Sequence, residues 1–473
     1  METRLSKKIK LGYAAASLPD AGTYLLVSTY FLFFLTTVVG VDPAIAGTVT
    51  AIGTFADAVL SPVVGYVSDN TRSKYGRRIP FIFMSAFPMT IALSLIYATV
   101  DVSSAAGIIY YILMSILFWG SFSVFFIPYL ALGAELTTDY NGRTVLRSYA
   151  YVFNLLGTIV GMAMPPFLVE RFVKGGIPAN SAWQIVAIII SIVAFVCIMI
   201  TCLTTKGKSV VKINEQKRER LGFIRSVKKM LTEYVEILKL KPVRILLGAS
   251  IINLIAFTVH LSDRIYFYTF NLGLSGTAIA LLMIFMTTMG LIYAPIILKL
   301  ASRFDKRKIL ISCTCITALL IGSMRFIGIE SVLAVCIFSA MFSISNTSYW
   351  QLMPATFYDI CEFDELLNKK RREGILLSVY SISESVSTAL ALQMFGLILK
   401  FSGFDGESQV QSENALFWLS NSFSIIPAVL MLITVIFLVR FPINKEVFDE
   451  IKKQLDTGKN GAEPDLSKLK GLL

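Results

Sequence analysis

Apolar residues run through this chain in long blocks, separated by short polar stretches. Segments of about 20 consecutive apolar residues are long enough to cross a bilayer as helices. Such segments centre roughly on 22–40, 44–68, 79–99, 106–133, 147–170 and 182–204, and then on 243–271, 276–300, 307–328, 331–357, 374–402 and 414–440. Between the sixth and seventh lies Thr205 to Pro242, containing KGKSVVKINEQKRERLGFIRSVKKM, too polar to span and long enough for an amphipathic surface helix. The pattern therefore predicts an all-α polytopic membrane protein of about twelve transmembrane helices in two six-helix bundles. The expected domains are 1–204, a central loop at 205–242, a second bundle at 243–442 and a tail at 443–473.

Composition agrees: of 473 residues 55% are hydrophobic and only 16% charged, well below the share expected of a soluble domain. The net charge of +12 is not the footprint of a nucleic-acid binder, because the basic residues fall in clusters between apolar blocks. The amino terminus, Arg72/Lys74/Arg77/Arg78, Arg143/Arg147, the central loop, Arg303/Lys306/Arg307/Lys308, Lys369/Lys370/Arg371/Arg372 and the tail all fall on one side, which is expected to be the cytoplasm. Both termini are then cytoplasmic, in a multi-pass plasma-membrane protein. The six cysteines lie in or at the ends of apolar segments without metal-ligand spacing, and the single histidine rules out a histidine-rich metal site, so no metal or cofactor is expected.

An ionisable group inside a span is costly unless it faces a cavity or a partner, which makes each one a functional candidate. Asp20, Asp57, His260, Asp263, Arg264 and Glu384 are of this kind. Thr54, Asp57 and Ser61 stand at i−3, i and i+4, so three oxygen-bearing side chains share a helix face suited to a proton or small cation. Asn253, His260 and Arg264 likewise share a face. Arg264 is fitted either to clamp a carboxylate or vicinal hydroxyls of a solute, or to form an ion pair with Asp263, Asp57, Asp20 or Glu384. His260 is either a hydrogen-bonded core residue or a protonation site. Tyr380, Ser381, Glu384, Ser385 and Thr388 form a polar stripe of cavity-lining character, although serines alone serve close helix packing equally well.

The loop GYVSDNTRSKYGRRIP (Gly65 to Pro80) resembles the loop signature of the major facilitator superfamily, and its D-N-T-R-S-K-Y-G-R-R form resembles the glycoside, pentoside and hexuronide:cation symporter family. YWQLMPATFYDICEFDE (Tyr349 to Glu365), KKRREGILLSVYS (Lys369 to Ser381) and the opening LGYAAASLPDAGTYLLVSTYFLFFLTTVVG are similar to that family too, so the resemblance covers essentially the whole chain. It implies the major facilitator fold, no enzymatic activity and cation-coupled solute symport into the cell. It also implies a conformational latch of Asp69, Arg72, Arg77 and Arg78 pairing with Glu135 or Asp139, and a matching one of Asp359, Glu362, Arg371 and Arg372.

Carried over position by position, the resemblance places Asp57 on the family's first cation-site aspartate, Ser61 where a second is usual, and Ser123 on a hydroxyl near the cation. The shared fourth-helix aspartate falls on Phe126 and a neighbouring tryptophan on Leu130. The fifth-helix basic position falls on Tyr151, the eleventh-helix lysine on Ser385, and Asp20 lies beside the sugar-binding aspartate. Trp350 is available to stack on a sugar face or aglycone. Loss of carboxylates favours H⁺ over Na⁺ as coupling ion, since a single aspartate suffices for a proton. The expected cation residues are thus Asp57, Ser61, Ser123 and Thr54. The expected solute residues are Asp20, Tyr151, His260, Arg264, Trp350, Tyr380, Ser381, Glu384 and Ser385. The solute is a glycoside, hexuronide or related organic molecule, moved by a protein expected to work as a monomer in the lipid bilayer. A facilitator or exporter of an amphipathic non-sugar solute and a non-transporting sensor are the alternatives.

Overall fold

The computed structural model describes residues 6–71, 73–137, 140–208, 223–329, 331–369 and 372–459, and among these every regular element is helical. Twelve helices are long and apolar enough to cross a membrane. In chain order, six precede the central segment: α1 (Lys7–Thr37), α2 (Pro43–Asn70), α3 (Ile79–Ile96), α4 (Ala105–Leu136), α5 (140–174, with a π-helical turn at Ile159–Ala163) and α6 (Ala179–Thr205). Then come α7 (Phe223–Leu238), which does not span, and α8 (Lys241–Asn271), α9 (Gly276–Arg303) and α10 (Lys306–Ile327). The last spans are α11 (Val332–Asn368), α12 (Glu373–Ser402) and α13 (Glu413–Arg440), followed by the short α14 (Lys445–Lys459).

Two boundaries move outward from the hydropathy reading. α1 begins at Lys7 rather than near residue 22, because Gly12, Ser17 and Asp20 dilute the apolar signal of a helix broken only by a turn at Ala16. α11 runs to Asn368, its last turns carrying Asp359 and Asp364 past the apolar block. Local signals set several ends. Asp42 caps α2 by accepting from Ala44 N at 3.0 Å with Pro43 in the first turn, Ser331 caps α11, and Asp305 caps α10. Gly328 closes α10 at φ 110°, a conformation that a side chain disfavours.

The chain forms two compact units. The first comprises Met1–Glu215, Leu261–Phe285 and Leu392–Leu419; the second comprises Gln216–His260, Met286–Ala391 and Ser420–Leu473. Within the first, α1 is buried along most of its length, and Tyr97 stacks on Trp183 at 5.9 Å beside it. Here the helix ends joined by loops after odd-numbered spans meet backbone to backbone. A methyl group at Gly396 would stand 2.5 Å from the Pro43 carbonyl oxygen and 2.9 Å from Gly47 Cα. Gly276 abuts the Pro166 carbonyl and Gly406 the Thr36 carbonyl as closely. Glycine at these points permits contact that any side chain would prevent. Within the second unit, Ile237 of α7 and Ile451 of α14 are fully buried, which seats both amphipathic helices.

Candidate functional site

Asp57 lies in the middle of α2, and its position is fixed by a close approach of α2 to α4. Gly53, one turn earlier, permits it: a methyl group there would stand 2.7 Å from Trp119 Cδ1 and 3.0 Å from Ser115 Cβ. That proximity brings Ser123 of α4 to Asp57. The Ser123 hydroxyl donates a short hydrogen bond to Asp57 Oδ1, and the Ser61 hydroxyl donates to the same oxygen at 3.3 Å. The two serine oxygens are 3.4 Å apart. Thr54 shares the face, but its hydroxyl donates to the Thr50 carbonyl at 3.1 Å and so serves its own helix. One carboxylate and two hydroxyls from two helices thus converge, with an aromatic wall alongside. Trp119 packs edge-on against Tyr24 at 5.4 Å and Phe122 stacks on Phe126 at 5.6 Å. This group can hold a proton, or supply some of the oxygens a hard cation requires.

Asp20 belongs to a second polar group. Asn154 Nδ2 of α5 donates to Asp20 Oδ2 at 3.5 Å, and the guanidinium of Arg147 acts electrostatically on Asp20. Arg147, Tyr151 and Asn154 recur at i, i+4 and i+7 on one face of α5, where Tyr151 is half-exposed. Arg147 stands at the start of the fifth span, Val145–Lys174, in line with the 147–170 hydropathy boundary.

The polar residues of α8 do not act as one group. His260 is buried with its ring 4.0 Å from that of Phe342 and 4.5 Å from that of Phe423, and Nδ1–H donates to the Phe423 carbonyl at 2.9 Å. It is a packed, hydrogen-bonded core residue in this structure. Arg264 is fully buried, directs Nη1 at Met283 Sδ at 3.6 Å, and has no ion-pair partner among the described residues. The ion pairs expected for it with the intramembrane carboxylates are absent there. Tyr30 and Tyr268 are its polar neighbours instead.

In the second unit, Glu384 of α12 is half-buried, with its Oε1 enclosed and lacking a hydrogen-bond partner. Tyr380 lies one turn before it, and Tyr349 of α11 is within electrostatic reach, its hydroxyl 2.6 Å from Ser250 Oγ. Ser381 is exposed and Ser385 half-buried on the same helix. Trp350 is half-exposed, edge-on to Tyr349 at 5.5 Å.

These carboxylates are placed by helices of a known kind: the chain matches the model of the MFS/sugar transport protein family over residues 12–445. The chain belongs to that family. Among its relatives within this sugar-transport family, the inner membrane symporter YicJ of Escherichia coli (strain K12) is 25% identical over 96% of this chain and 96% of its own length. The isoprimeverose transporter of Lactiplantibacillus pentosus is 23% identical over 89% of this chain and 86% of its own. A solved D-xylose–proton symporter has the same fold, at TM-score 0.65 and 15% identity, covering 92% of this chain and 98% of that one. Membership of the glycoside, pentoside and hexuronide:cation symporters, in a multi-pass membrane protein of major facilitator fold, follows from these matches.

For a member of the MFS/sugar transport family, the charged residues at the other helix ends are as informative as the carboxylates. Arg78 is buried; Nε donates to Glu135 Oε1 at 2.8 Å, Nη1 to Ser68 Oγ at 2.7 Å, and Nη2 pairs closely with Asp69. Arg77 Nε reaches the same Glu135 oxygen at 2.6 Å. Arg72, Arg371 and Asp139 lie outside the described residues. The second network departs from expectation. Asp359 pairs with Lys306 at 2.6 Å, not with Arg372. Arg372 instead forks onto Asp364 at 2.6 and 2.8 Å and bonds Glu236 of α7 at 2.5 Å. The physical reason is reach: α11 continues past Asp359, so Asp364 near its end meets the arginine, while Asp359 faces the start of α10.

Proposed function

We propose that the protein is a cation-coupled symporter that binds its ion at Asp57, Ser61 and Ser123 and carries a glycoside, hexuronide or related organic solute into the cell. The observation that carries this reading is the single Asp57 oxygen receiving two serine hydroxyls from different helices. One carboxylate and two hydroxyls fall short of what a metal cation takes from a protein, whereas a proton needs the carboxylate alone, so the coupling ion is H⁺. The solute's polar groups are taken by Asp20, Asn154 and Arg147, with Tyr151 beside them; Arg147 occupies the basic role that the family's pattern reserves for the fifth helix. Arginine there fits vicinal hydroxyls or a carboxylate. The termini and the Arg78 and Arg372 networks face the cytoplasm in this reading, and the protein exposes its sites to each side in turn.

A second reading, of a more amphipathic solute, is favoured by the stacked rings of Phe122 and Phe126, which flank Ser123 along α4. A relative from Gallus gallus, 23% identical over 99% of this chain and 94% of its own, is named a sodium-dependent lysophosphatidylcholine symporter. The test is uptake into proteoliposomes of labelled glycosides, hexuronides and lysophospholipids under imposed H⁺ or Na⁺ gradients. We expect proton-driven uptake of a sugar-class solute, with concentrative uptake by Asp57→Asn reduced at least tenfold while solute exchange survives. Uptake indifferent to both gradients and to the substitution would overturn the coupling role of Asp57.

A further inference from the structure

We propose that Glu384 is a second proton-binding site of this carrier, served by Tyr380 and Tyr349 and separate from the site at Asp57. The proposal rests on the ion-coupled reading above and adds a second titrating carboxylate to it. Glu384 Oε1 is buried without a hydrogen-bond partner, in a span where an ionised carboxylate is costly unless a cation or a proton neutralises it. The titratable groups facing it are Tyr380, one turn away on α12, and Tyr349 on α11. Among the described residues no lysine, arginine or histidine pairs with it.

The surrounding groups suit a proton. Tyr349 is hydrogen-bonded to Ser250 of α8 at 2.6 Å, so three hydroxyls from three helices line this place, and a hydroxyl both donates and accepts. Asn253, one turn further along α8, is buried with its amide oxygen and nitrogen unbonded, so this stretch of the second unit holds surplus hydrogen-bonding capacity. A metal cation would ask for several more oxygens than one carboxylate and neutral hydroxyls supply. Ser381, next to Tyr380 on α12, is exposed. Glu384 therefore takes a proton from solvent in one state of the cycle and returns it in another, with no bond to the solute required.

The test uses infrared difference spectroscopy of the full chain in lipid, titrated with pH in sodium-free buffer and with no solute present. We expect a carboxylic-acid carbonyl band that disappears reversibly as pH rises, is missing in Glu384→Gln and is kept in Asp57→Asn. Tyr380→Phe should move the midpoint of that same band, which guards against misfolding of the glutamine variant. Titrating bands unchanged by Glu384→Gln would overturn the proposal, as would a band displaced by sodium at fixed pH rather than by protons. Because the spectrum needs no transport, a titrating Glu384 band together with gradient-independent uptake would sink the coupled-symport reading and leave this site standing.

Discussion

The two arginine networks solve one problem with different materials. Around Arg78, every partner comes from the spans themselves: Ser68 and Asp69 from the end of α2, Glu135 from α4, with Arg77 sharing the same glutamate. Around Arg372 the inner partner is Asp364 of α11, but the outer one, Glu236, is lent by α7, a helix outside the membrane spans. The Asp364 carboxylate, bonded to both ends of the guanidinium fork, and then Glu236 hold Arg372 still more firmly protonated than an ordinary arginine. The neighbouring Lys306–Asp359 pair is likewise attended by an added helix: Phe448 of α14 lies 5.7 Å from Lys306 Nζ, and Lys445 N–H donates to Asp305 at 3.2 Å. The first network is self-contained, while the second is tied to α7 and α14, which are not among the twelve spans.

That contrast is broken most sharply at Arg78. Arg78→Ala removes a buried fork from Ser68 and Asp69 and leaves Glu135 to Arg77, so a loss of about 3 kcal/mol is expected, read as a fall in thermal unfolding temperature in detergent, with Arg78→Ala/Glu135→Ala recovering part of it. A variant no less stable than the parent would mean the network is decorative. Arg372→Ala should cost less, about 1.5–3 kcal/mol, because only Asp364 is left buried while Glu236 turns to water. Smallest is Glu236→Ala, below about 1 kcal/mol in the same assay and weaker still at high salt, since its side chain is 46% exposed. Should Glu236→Ala match Arg372→Ala in size, α7 would be a structural member of the second network rather than an attachment to it.

The apolar blocks made the twelve spans legible, because helix length against bilayer thickness is a strong constraint. The convergence of Ser61 on Asp57 was also readable, being a matter of i+4 spacing. Ser123 was not: it meets Asp57 only because Gly53 lets α4 approach, and family resemblance alone placed it. Arg147 was legible as a member of the fifth span, but its nearness to Asp20 was not, because Asp20 is remote in sequence. Glu236 left no local trace of its role, since its partner is remote in sequence and depends on how α7 is seated. His260 and Arg264 share a face by periodicity, yet neighbours from other helices decide that one is stacked among phenylalanines and the other lies against a thioether.

The glycine contacts near the odd-numbered loops carry a different consequence. Gly47 against Gly396, Gly276 against Pro166 and Gly406 against Thr36 are seams of bare backbone, with the exposed Lys400–Asp42 pair as one ionic contact beside them. A seam of this kind is held by dispersion and short range alone, so it yields all at once when surfaces separate by an ångström and feels almost nothing before that. Separating such a seam should behave like unsticking a dry joint, steep in temperature and nearly blind to ionic strength apart from the Lys400–Asp42 pair, whereas the exposed Glu236 arm of the second arginine network weakens as salt is raised.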